Sequence, residues 1–358
     1  MFRASTGLPA AKFFTEESQS PLVHRHCLVV PKRRAEEVRR NLLERGLLEK
    51  HLTVLREGDF ILFPVREQFD SEFRFEEKEF SEAFKPISHY SEVVDVPEEL
   101  KSLLPTSLDI IGDIALVRMP DELRDYGGAV GDAILKAYKS VLCVFADEGV
   151  GGEYRIRRLR HLAGENRTRT VHREHGLNFS VDVSKAYFSP RLASERVRIT
   201  EQVKPGEIVL DLFTGVGPYA IMIARKSKAS IVYAVDSNPA AFELLEENVR
   251  VNRAEKVKAI LSDAREVLKM TGKVDRLILD LPQSARDFYT DALRSVKVGG
   301  MLHYYEIVEF AELEDRKDWL IEEAKRHGIG VELIVTKEVK TYSPAQRHFA
   351  FDLRVSRA

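Results

Sequence analysis

Two acidic residues with a glycine turn between them could bind a ribose. Asp211 and Asp236 lie 25 residues apart, each at the end of an apolar run typical of a strand, and Gly215 and Gly217 follow the first of them. The glycines let the backbone approach a ligand without a Cβ atom in the way. A carboxylate at the end of the second strand can accept hydrogen bonds from both ribose hydroxyls. The order strand, turn, helix therefore predicts a site for a nucleotide or nucleoside.

The acids of this segment favour S-adenosylmethionine over a nicotinamide dinucleotide. Ala220 stands where a dinucleotide loop usually has its third glycine, and alanine is permitted there, so the glycine count decides little. Asp211 would repel a pyrophosphate but attract an ammonium group, and Asp263 is placed after the next apolar run for an adenine amino group. Each acid could instead cap a helix. We expect cofactor contacts from Arg196, Asp211, Phe213, Gly215, Gly217, Asp236, Ser237, Asn238, Asp263 and Ala264.

A polar residue and a proline follow the fourth apolar run, in Asp280-Leu281-Pro282. The carboxyl end of a strand beside the cofactor is where an open α/β sheet would hold a substrate base. Cytosine C5 methylation needs a cysteine nucleophile near this point, and no cysteine follows Cys143. That chemistry is therefore excluded.

An arginine-rich segment precedes the cofactor loop. Four arginines lie within residues 152–160, further arginines and histidines follow to residue 175, and Tyr187 and Arg191 lie in a second basic run. Arginines with interleaved aromatic residues suit phosphate contact and base stacking, although a solvated charged face is the alternative. Glu195 is one helical turn from Arg191, so it could form a surface ion pair. It could also be a general base beside the base-binding pocket.

Composition limits the class of protein. The chain has 358 residues, 44% hydrophobic and 31% charged, with a net charge of −2, so any nucleic-acid surface must be local. No apolar run is long enough to span a bilayer and no signal peptide is recognisable, so we expect a cytoplasmic protein without membrane contact. Cys27 and Cys143 lie far apart without a metal-ligand pattern, so we expect no metal and no disulfide.

The elements that position these residues fall into four segments. Residues 1–65 are a small α+β module, with a loose arm over 1–20, a strand at 27–30, a helix at 35–45 capped by Gly46 and a hairpin at 53–65. Residues 66–93 are a linker with five phenylalanines, and 94–190 are a middle α+β domain. Residues 191–358 form a Rossmann-like α/β domain. Its sheet is mostly parallel with one antiparallel strand, and the predicted strands lie near 207–211, 231–235, 257–260, 275–280, 299–304, 331–336 and 348–355.

The chain resembles the archaeal and eukaryotic tRNA guanine-37 N1-methyltransferases, including their archaeal wyosine-type relatives. The most specific stretch is Tyr187-Phe-Ser-Pro-Arg-Leu192 joined to the loop at 211–218, and further matching stretches lie at 26–31, 56–60, 109–115, 152–155, 163–165, 181–185 and 299–305. The resemblance implies an elbow-recognising first module, a middle domain that holds the anticodon arm of tRNA, and a class I methyltransferase domain. A monomer is also expected.

The resemblance also implies roles for individual residues. Glu195 corresponds to the general base, Arg155 to the arginine that stabilises guanine O6, and Tyr187 and Arg191 to residues of the substrate site. Guanine N1 carries a proton at neutral pH, so methylation needs a base for that proton and a cation for the charge that grows on O6. N1 also lies on the Watson–Crick edge, so the nucleotide must leave its stack.

One residue departs from the family pattern. The family's usual Asn-Leu-Pro reads Asp280-Leu281-Pro282, and an ionised carboxylate only accepts hydrogen bonds, whereas an amide also donates. Asp280 can still accept from the guanine exocyclic amine. The alternatives are methylation of the tricyclic wyosine intermediate, 4-demethylwyosine, at the same nucleotide, alone or as a second activity, and a non-catalytic RNA-binding protein. The arginine-rich middle domain and the extra first module speak against a small-molecule methyltransferase.

Overall fold

The computed structural model describes residues 22–82, 87–152, 154, 156–270 and 272–357. These residues form two compact units that meet in sequence between residues 87 and 88. The predicted arm over 1–20, the linker residue Phe84 and the predicted catalytic residue Arg155 lie outside the described residues. None of the helices within the described ranges is long and apolar enough to cross a membrane.

The first unit is an antiparallel sheet with one helix. Its sheet order is β2-β3-β1-β4, and the elements are β1 Val23–Pro31, α1 Ala35–Glu44, β2 Leu55–Glu57, β3 Phe60–Pro64 and β4 Phe75–Phe80. Val38 and Leu42 of α1 are buried in a core with Leu28 and Phe63 of the sheet. Gly46 has a φ of +69°, which suits a residue that ends a helix. The predicted strand, helix and hairpin of this module are confirmed.

The predicted linker was wrong in part, because it supplies a strand of this sheet. β4 pairs antiparallel with β1 from Val23 opposite Phe80 to Leu28 opposite Phe75, and Phe80 is fully buried. β4 lies at the sheet edge and carries charged residues between its two phenylalanines. Edge strands with charged side chains lack the regular apolar alternation by which strands are recognised in a sequence.

The second unit begins with a four-stranded sheet in the order β5-β6-β7-β8. Its elements are β5 Asp109–Ile111, β6 Ile114–Val117, α2 Gly127–Ala137, β7 Cys143–Gly151 and β8 Ile156–Gly164. β6 and β7 are parallel and the other pairs are antiparallel. α2 packs closely on β8, since a Cβ atom at Gly131 would lie 2.7 Å from that of Ala163. This sheet places Arg157 of β8 in the wall of the cavity described below.

The rest of the second unit is the predicted α/β sheet with a hairpin before it. The elements are β9 Arg169–Glu174, β10 Leu177–Asp182, α3 Ala193–Gln202, β11 Ile208–Leu212, α4 Pro218–Lys226, β12 Ile231–Asp236, α5 Pro239–Val251, β13 Val257–Leu261, α6 Ala264–Met270, β14 Val274–Leu279, α7 Tyr289–Arg294, β15 Val296–Glu309, α8 Leu313–Arg326, β16 Gly330–Thr341 and β17 Gln346–Ser356. The strand order is β13-β12-β11-β14-β15-β17-β16.

Every predicted strand of this sheet is present. β13, β12, β11, β14 and β15 run parallel, and β17 is antiparallel to both of its neighbours, β15 and β16. The neighbouring strands β11 and β14 form the topological switch point, where the strand order reverses. In open α/β sheets ligands bind outside the carboxyl ends of the strands at this point. The Rossmann-like prediction is confirmed.

The β9–β10 hairpin packs against α5 of this α/β layer. The amide of Asn248 bonds both backbone groups of Ser180, at 2.7 Å and 3.0 Å, and Asn252 bonds those of Asn178. Phe179 of the hairpin shares a hydrophobic core with Val209 of β11. The last part of the predicted middle domain therefore contributes to the core beneath the cofactor loop.

Candidate functional site

A cavity of about 760 Å³ opens at the carboxyl ends of β11, β12 and β14. Its wall continues through the segment before α3 and through β7 and β8. The structure brings most of the predicted site residues into this one wall, namely Tyr187, Arg191, Arg196, Asp211, Phe213, Gly215, Asp236, Ser237, Asn238, Asp280, Leu281 and Pro282.

The loop after β11 is shaped by left-handed backbone conformations. Phe213, Gly215 and Gly217 have φ values of +64°, +58° and +87°. Gly217 directly precedes α4 and does not line the cavity. Its φ of +87° and the 2.4 Å that would separate a Cβ atom from Leu245 Cδ1 both favour glycine there. Gly217 therefore sets the path of the loop, while Gly215 presents its backbone to the cavity.

Asp236 and Asp211 place two buried carboxylates at this loop. Asp236 accepts the backbone N–H of Gly215 at 2.7 Å and that of Asn238 at 2.9 Å, and burial raises its pKa despite these bonds. Asp211 accepts the Thr214 hydroxyl at 2.6 Å. Burial raises the pKa of Asp211 to about 7, and the nearby charges of Asp280 and Asp236 add to that rise. A cationic group bound here would offset the clustered negative charge, so the site fits a ligand with a ribose and a positive charge.

Arg196 lines the cavity, but its guanidinium is engaged with the protein. It donates to Glu174 at 2.5 Å and to the carbonyl of Ser189 at 2.8 Å. It also lies over the rings of Phe188 and Tyr219, at 4.9 Å and 5.9 Å from their centroids. Arg196 therefore stabilises the cavity wall through contacts within the protein, and its role as a cofactor contact stays a prediction.

Besides Gly217, two predicted cofactor residues lie outside the cavity. Asp263 does not line it; the residue directly precedes α6, its carboxylate accepts the N–H of Arg265 at 2.7 Å, and its side chain is half exposed. Ala264 is buried in the hydrophobic core on that side of the sheet. The capping alternative explains Asp263, because an acidic residue before a helix satisfies free backbone N–H groups.

Glu195 is buried behind the cavity rather than in its wall, with 1% of its surface exposed. Arg198 donates to both of its carboxylate oxygens, at 2.9 Å and 2.6 Å, and Tyr305 and Lys337 donate at 2.9 Å and 3.2 Å. Burial alone would raise the pKa of Glu195, but these donors outweigh it and hold that pKa below its ordinary value. The surface ion pair with Arg191 was wrong, since Arg191 bonds Asp109 instead.

Asp280, Leu281 and Pro282 border the cavity where β14 ends. Within the part of the chain that the structure describes, no donor bonds to the Asp280 carboxylate, and its nearest ionisable partner is Nε2 of His348 at 3.7 Å. Burial raises the pKa of Asp280 to about 6, and burial lowers that of His348 to about 3, so the imidazole is neutral. This end of the cavity offers an unpaired acceptor.

Tyr187 forms the exposed rim of the same cavity. Its hydroxyl accepts from Lys340 Nζ at 3.3 Å, and the guanidinium of Arg157 lies 5.0 Å from the centre of its ring. A half-exposed aromatic ring beside two cations suits stacking of a base whose phosphates are nearby.

The cavity residues that were not predicted include Arg157, Tyr219, Lys340 and His348. Arg157 belongs to the arginine-rich segment at 152–160, so that segment was an available signal. Tyr219 directly follows the loop at 211–218 that holds several predicted cofactor residues, so its position was an available signal. Lys340 and His348 lie in the cavity wall because β16 pairs with β17. No local sequence pattern predicts this pairing.

Comparisons with known proteins agree along the chain. The model of the TRM5/TYW2 methyltransferase domain matches residues 170–334. The TYW2 N-terminal domain matches 91–168 and the tRNA methyltransferase 5 N-terminal domain matches 27–73. The tRNA (guanine(37)-N(1))-methyltransferase Trm5b of Pyrococcus abyssi is 41% identical over 332 residues, which cover 91% of this chain and 98% of that protein.

Two solved structures extend the comparison. The complex of aTrm5 with tRNALeu has a TM-score of 0.77 and 34% identity, and covers 93% of this chain and 99% of its own. The Methanocaldococcus jannaschii TYW2 in complex with AdoMet has a TM-score of 0.55 and 26% identity, and covers 70% of this chain and 100% of its own. With the family models and the sequence identity, these matches lead to one conclusion: the chain belongs to the TRM5/TYW2 methyltransferase family.

Proposed function

We propose that this protein transfers the methyl group of S-adenosylmethionine to N1 of guanosine-37 in tRNA. The observation that carries the proposal is the cavity itself, in which an acidic cofactor cleft adjoins the acceptor carboxylate of Asp280 and an aromatic rim at Tyr187. Similarity to a guanine-37 N1-methyltransferase along almost its whole length supports the same reaction. The chain is a tRNA methyltransferase that depends on S-adenosylmethionine.

The cofactor end of the cavity would be held by the loops after β11 and β12. Asp236, already fixed by Gly215 and Asn238, accepts the ribose hydroxyls. Asp211 compensates the positive charge of the cofactor, and Phe213 and Ser237 line the same end. When bound, S-adenosylmethionine supplies an electrophilic methyl group.

The acceptor end would hold a guanine turned out of its stack. Tyr187 stacks on it, Asp280 accepts from its exocyclic amine, and Leu281 and Pro282 close the pocket. Arg191, half exposed at the rim, contacts a flanking phosphate. Arg155 neutralises charge on O6 and Glu195 receives the N1 proton, and these last two roles rest on the resemblance.

The remaining parts of the chain would bind the tRNA elsewhere. The first unit contacts the elbow, and the sheet of β5 to β8 with its arginines contacts the anticodon arm. Monomeric action and independence of metal stay predictions. A non-catalytic RNA-binding protein is disfavoured, since such a protein needs no cofactor cleft.

Methyl transfer into defined transcripts tests the proposal. Purified protein with methyl-labelled S-adenosylmethionine is expected to label a transcript with guanosine at position 37, and to leave a transcript with adenosine at position 37 unlabelled. Equal labelling of the two transcripts would contradict the proposal, and so would no labelling of either.

The tricyclic wyosine intermediate is the second candidate acceptor. Similarity to the tRNA 4-demethylwyosine(37)-methyltransferase Taw21 of Saccharolobus solfataricus, 36% identical over 58% of this chain, favours it. A tRNA-Phe that carries 4-demethylwyosine at position 37 is the substrate for that test, and mass spectrometry of the digest distinguishes the two products.

A further inference from the structure

Two buried tyrosines connect the cavity with Glu195. Tyr219, at the start of α4, lines the cavity with 4% of its surface exposed. Its hydroxyl lies 3.4 Å from that of Tyr305 on β15, and Tyr305 donates to Glu195 Oε1 at 2.9 Å. Tyr305 and Glu195 do not line the cavity. The two hydroxyls therefore form the bonded path by which Glu195 reaches it.

The hydrogen bonds of this path all point in one direction. Tyr219 donates to Tyr305 and Tyr305 donates to Glu195. Arg198 and Lys337 occupy the other acceptor positions of the carboxylate. Within the described ranges no donor bonds to the oxygen of Tyr219, so this oxygen is left to accept a proton from a ligand in the cavity.

We propose that Tyr219 and Tyr305 relay the N1 proton of the target guanine from the cavity to Glu195. The relay rests on the proposed N1 methylation. The N1–H bond breaks as its proton passes to the Tyr219 oxygen, the Tyr219 proton passes to Tyr305, and the Tyr305 proton passes to Glu195. Both tyrosines end neutral and Glu195 ends protonated. The electron pair left on N1 forms the bond to the methyl carbon as the bond from that carbon to the cofactor sulfur breaks, and its electron pair stays on the sulfur.

Charged and titratable groups face both ends of the path. Arg198 and Lys337 face Glu195, Asp280 and Arg196 lie near Tyr219, and the neutral ring of His348 packs 5.7 Å from that of Tyr305. Burial raises the pKa of both tyrosines well above the ordinary value, so each keeps its proton at rest and can only exchange it.

The network beyond Glu195 absorbs the change of charge. Arg198 also bonds both oxygens of Asp352, at 2.5 Å and 3.1 Å. When Glu195 takes up the proton, the guanidinium keeps one carboxylate partner and no buried cation is left alone. Glu195 and Tyr305 act through Tyr219, and Tyr219 is the group that would touch the substrate.

Removal of single hydroxyl groups tests the relay. Tyr219→Phe, Tyr305→Phe and Glu195→Gln are compared by single-turnover methyl transfer to a guanosine-37 transcript between pH 6 and 9. Each is expected to lower the rate by roughly 100-fold or more, as loss of proton transfer does. Binding of S-adenosylmethionine and of tRNA is expected to stay within about twofold. The Tyr305→Phe/Glu195→Gln double variant is expected to be no slower than Glu195→Gln alone.

Tyr304→Phe is the matched control. Tyr304 precedes Tyr305 on the same strand and is equally buried, but its hydroxyl donates to Glu306 at 2.9 Å. Its rate is expected to stay near that of the unchanged protein. Thermal unfolding of all variants identifies any that fail to fold, and the other tyrosine variant then gives the test.

A transcript with 6-thioguanosine at position 37 separates proton transfer from packing. Its N1–H is more acidic than that of guanosine, so the relay variants are expected to lose less of their rate on this substrate. The relay is overturned by an undiminished rate of Tyr305→Phe, by an equal loss in Tyr304→Phe, or by an equal loss on both bases. Absence of 1-methylguanosine with the unchanged protein would instead overturn the proposed function.

Discussion

The carboxylate of Asp236 accepts the backbone N–H of Gly215 across 2.7 Å. This bond ties the end of β12 to the loop after β11. The other oxygen of Asp236 accepts from Asn238, so the carboxylate is oriented on both sides. An acceptor that is already fixed loses little freedom when a ribose binds to it.

Asp236→Asn is expected to weaken S-adenosylmethionine binding by roughly 10- to 100-fold. The amide loses one acceptor oxygen and the negative charge, and a hydrogen bond to a charged group contributes about 1.5–3 kcal/mol. Isothermal titration calorimetry measures the change. Asp263→Asn is the control, because Asp263 caps α6 outside the cavity. Equal losses in the two variants would contradict this site for the ribose.

Cofactor affinity is expected to fall as the pH is lowered from 8 to 6. A cation binds the ionised form of Asp211, and burial raises the pKa of this carboxyl to about 7, so protonation below that pH removes the attraction. Asp280, with a pKa raised to about 6, adds a smaller loss at the lower end. Asp211→Asn is expected to bind more weakly at pH 8 and to show a flatter profile by titration calorimetry. An unchanged slope in this variant would assign the pH dependence elsewhere.

Asp280 is expected to set the preference among acceptor bases. Inosine lacks the exocyclic amine of guanosine, so the unchanged protein should methylate an inosine-37 transcript roughly 10-fold or more slowly. Asp280→Ala should bring the two rates closer together. In 4-demethylwyosine the nitrogen that corresponds to the exocyclic amine is part of the third ring and carries no hydrogen. The Asp280→Asn variant can donate a hydrogen bond to this nitrogen, so it should be more active on 4-demethylwyosine. If Asp280→Ala leaves the ratio of guanosine to inosine rates unchanged, the base is read by other residues.

The buried pair of Arg196 and Glu174 is expected to matter for stability. Both side chains are more than nine-tenths buried, so Glu174→Ala leaves an uncompensated charge and should cost about 3–5 kcal/mol. Glu266→Ala, which removes an exposed partner of Lys269, should cost less than about 1 kcal/mol. Urea unfolding midpoints of the two variants measure the difference. Similar midpoints would show that the pair of Arg196 and Glu174 contributes no more to stability than the exposed pair does.

The sequence predicted the parts of the fold and of the site that are determined by residues close to one another along the chain. Apolar runs predicted all the strands of the large sheet, and Asp211, Gly215 and Asp236 lie together as expected because parallel strands end at one edge. Glu195 shows the limit. Its partners Tyr305 and Lys337 come from two strands more than 100 residues away, and Asp352, on a third strand, shares the guanidinium of Arg198 with it. Its burial follows from tertiary packing that helical spacing does not encode.

Nucleoside mass spectrometry tests the central claim most directly. A tRNA transcript with guanosine at position 37 is incubated with purified protein and S-adenosylmethionine, digested with nuclease and compared with an adenosine-37 transcript. The predicted result is close to one 1-methylguanosine per guanosine-37 tRNA and none in the control. Absence of 1-methylguanosine, or its formation in both transcripts, would contradict methylation of N1 at guanosine-37.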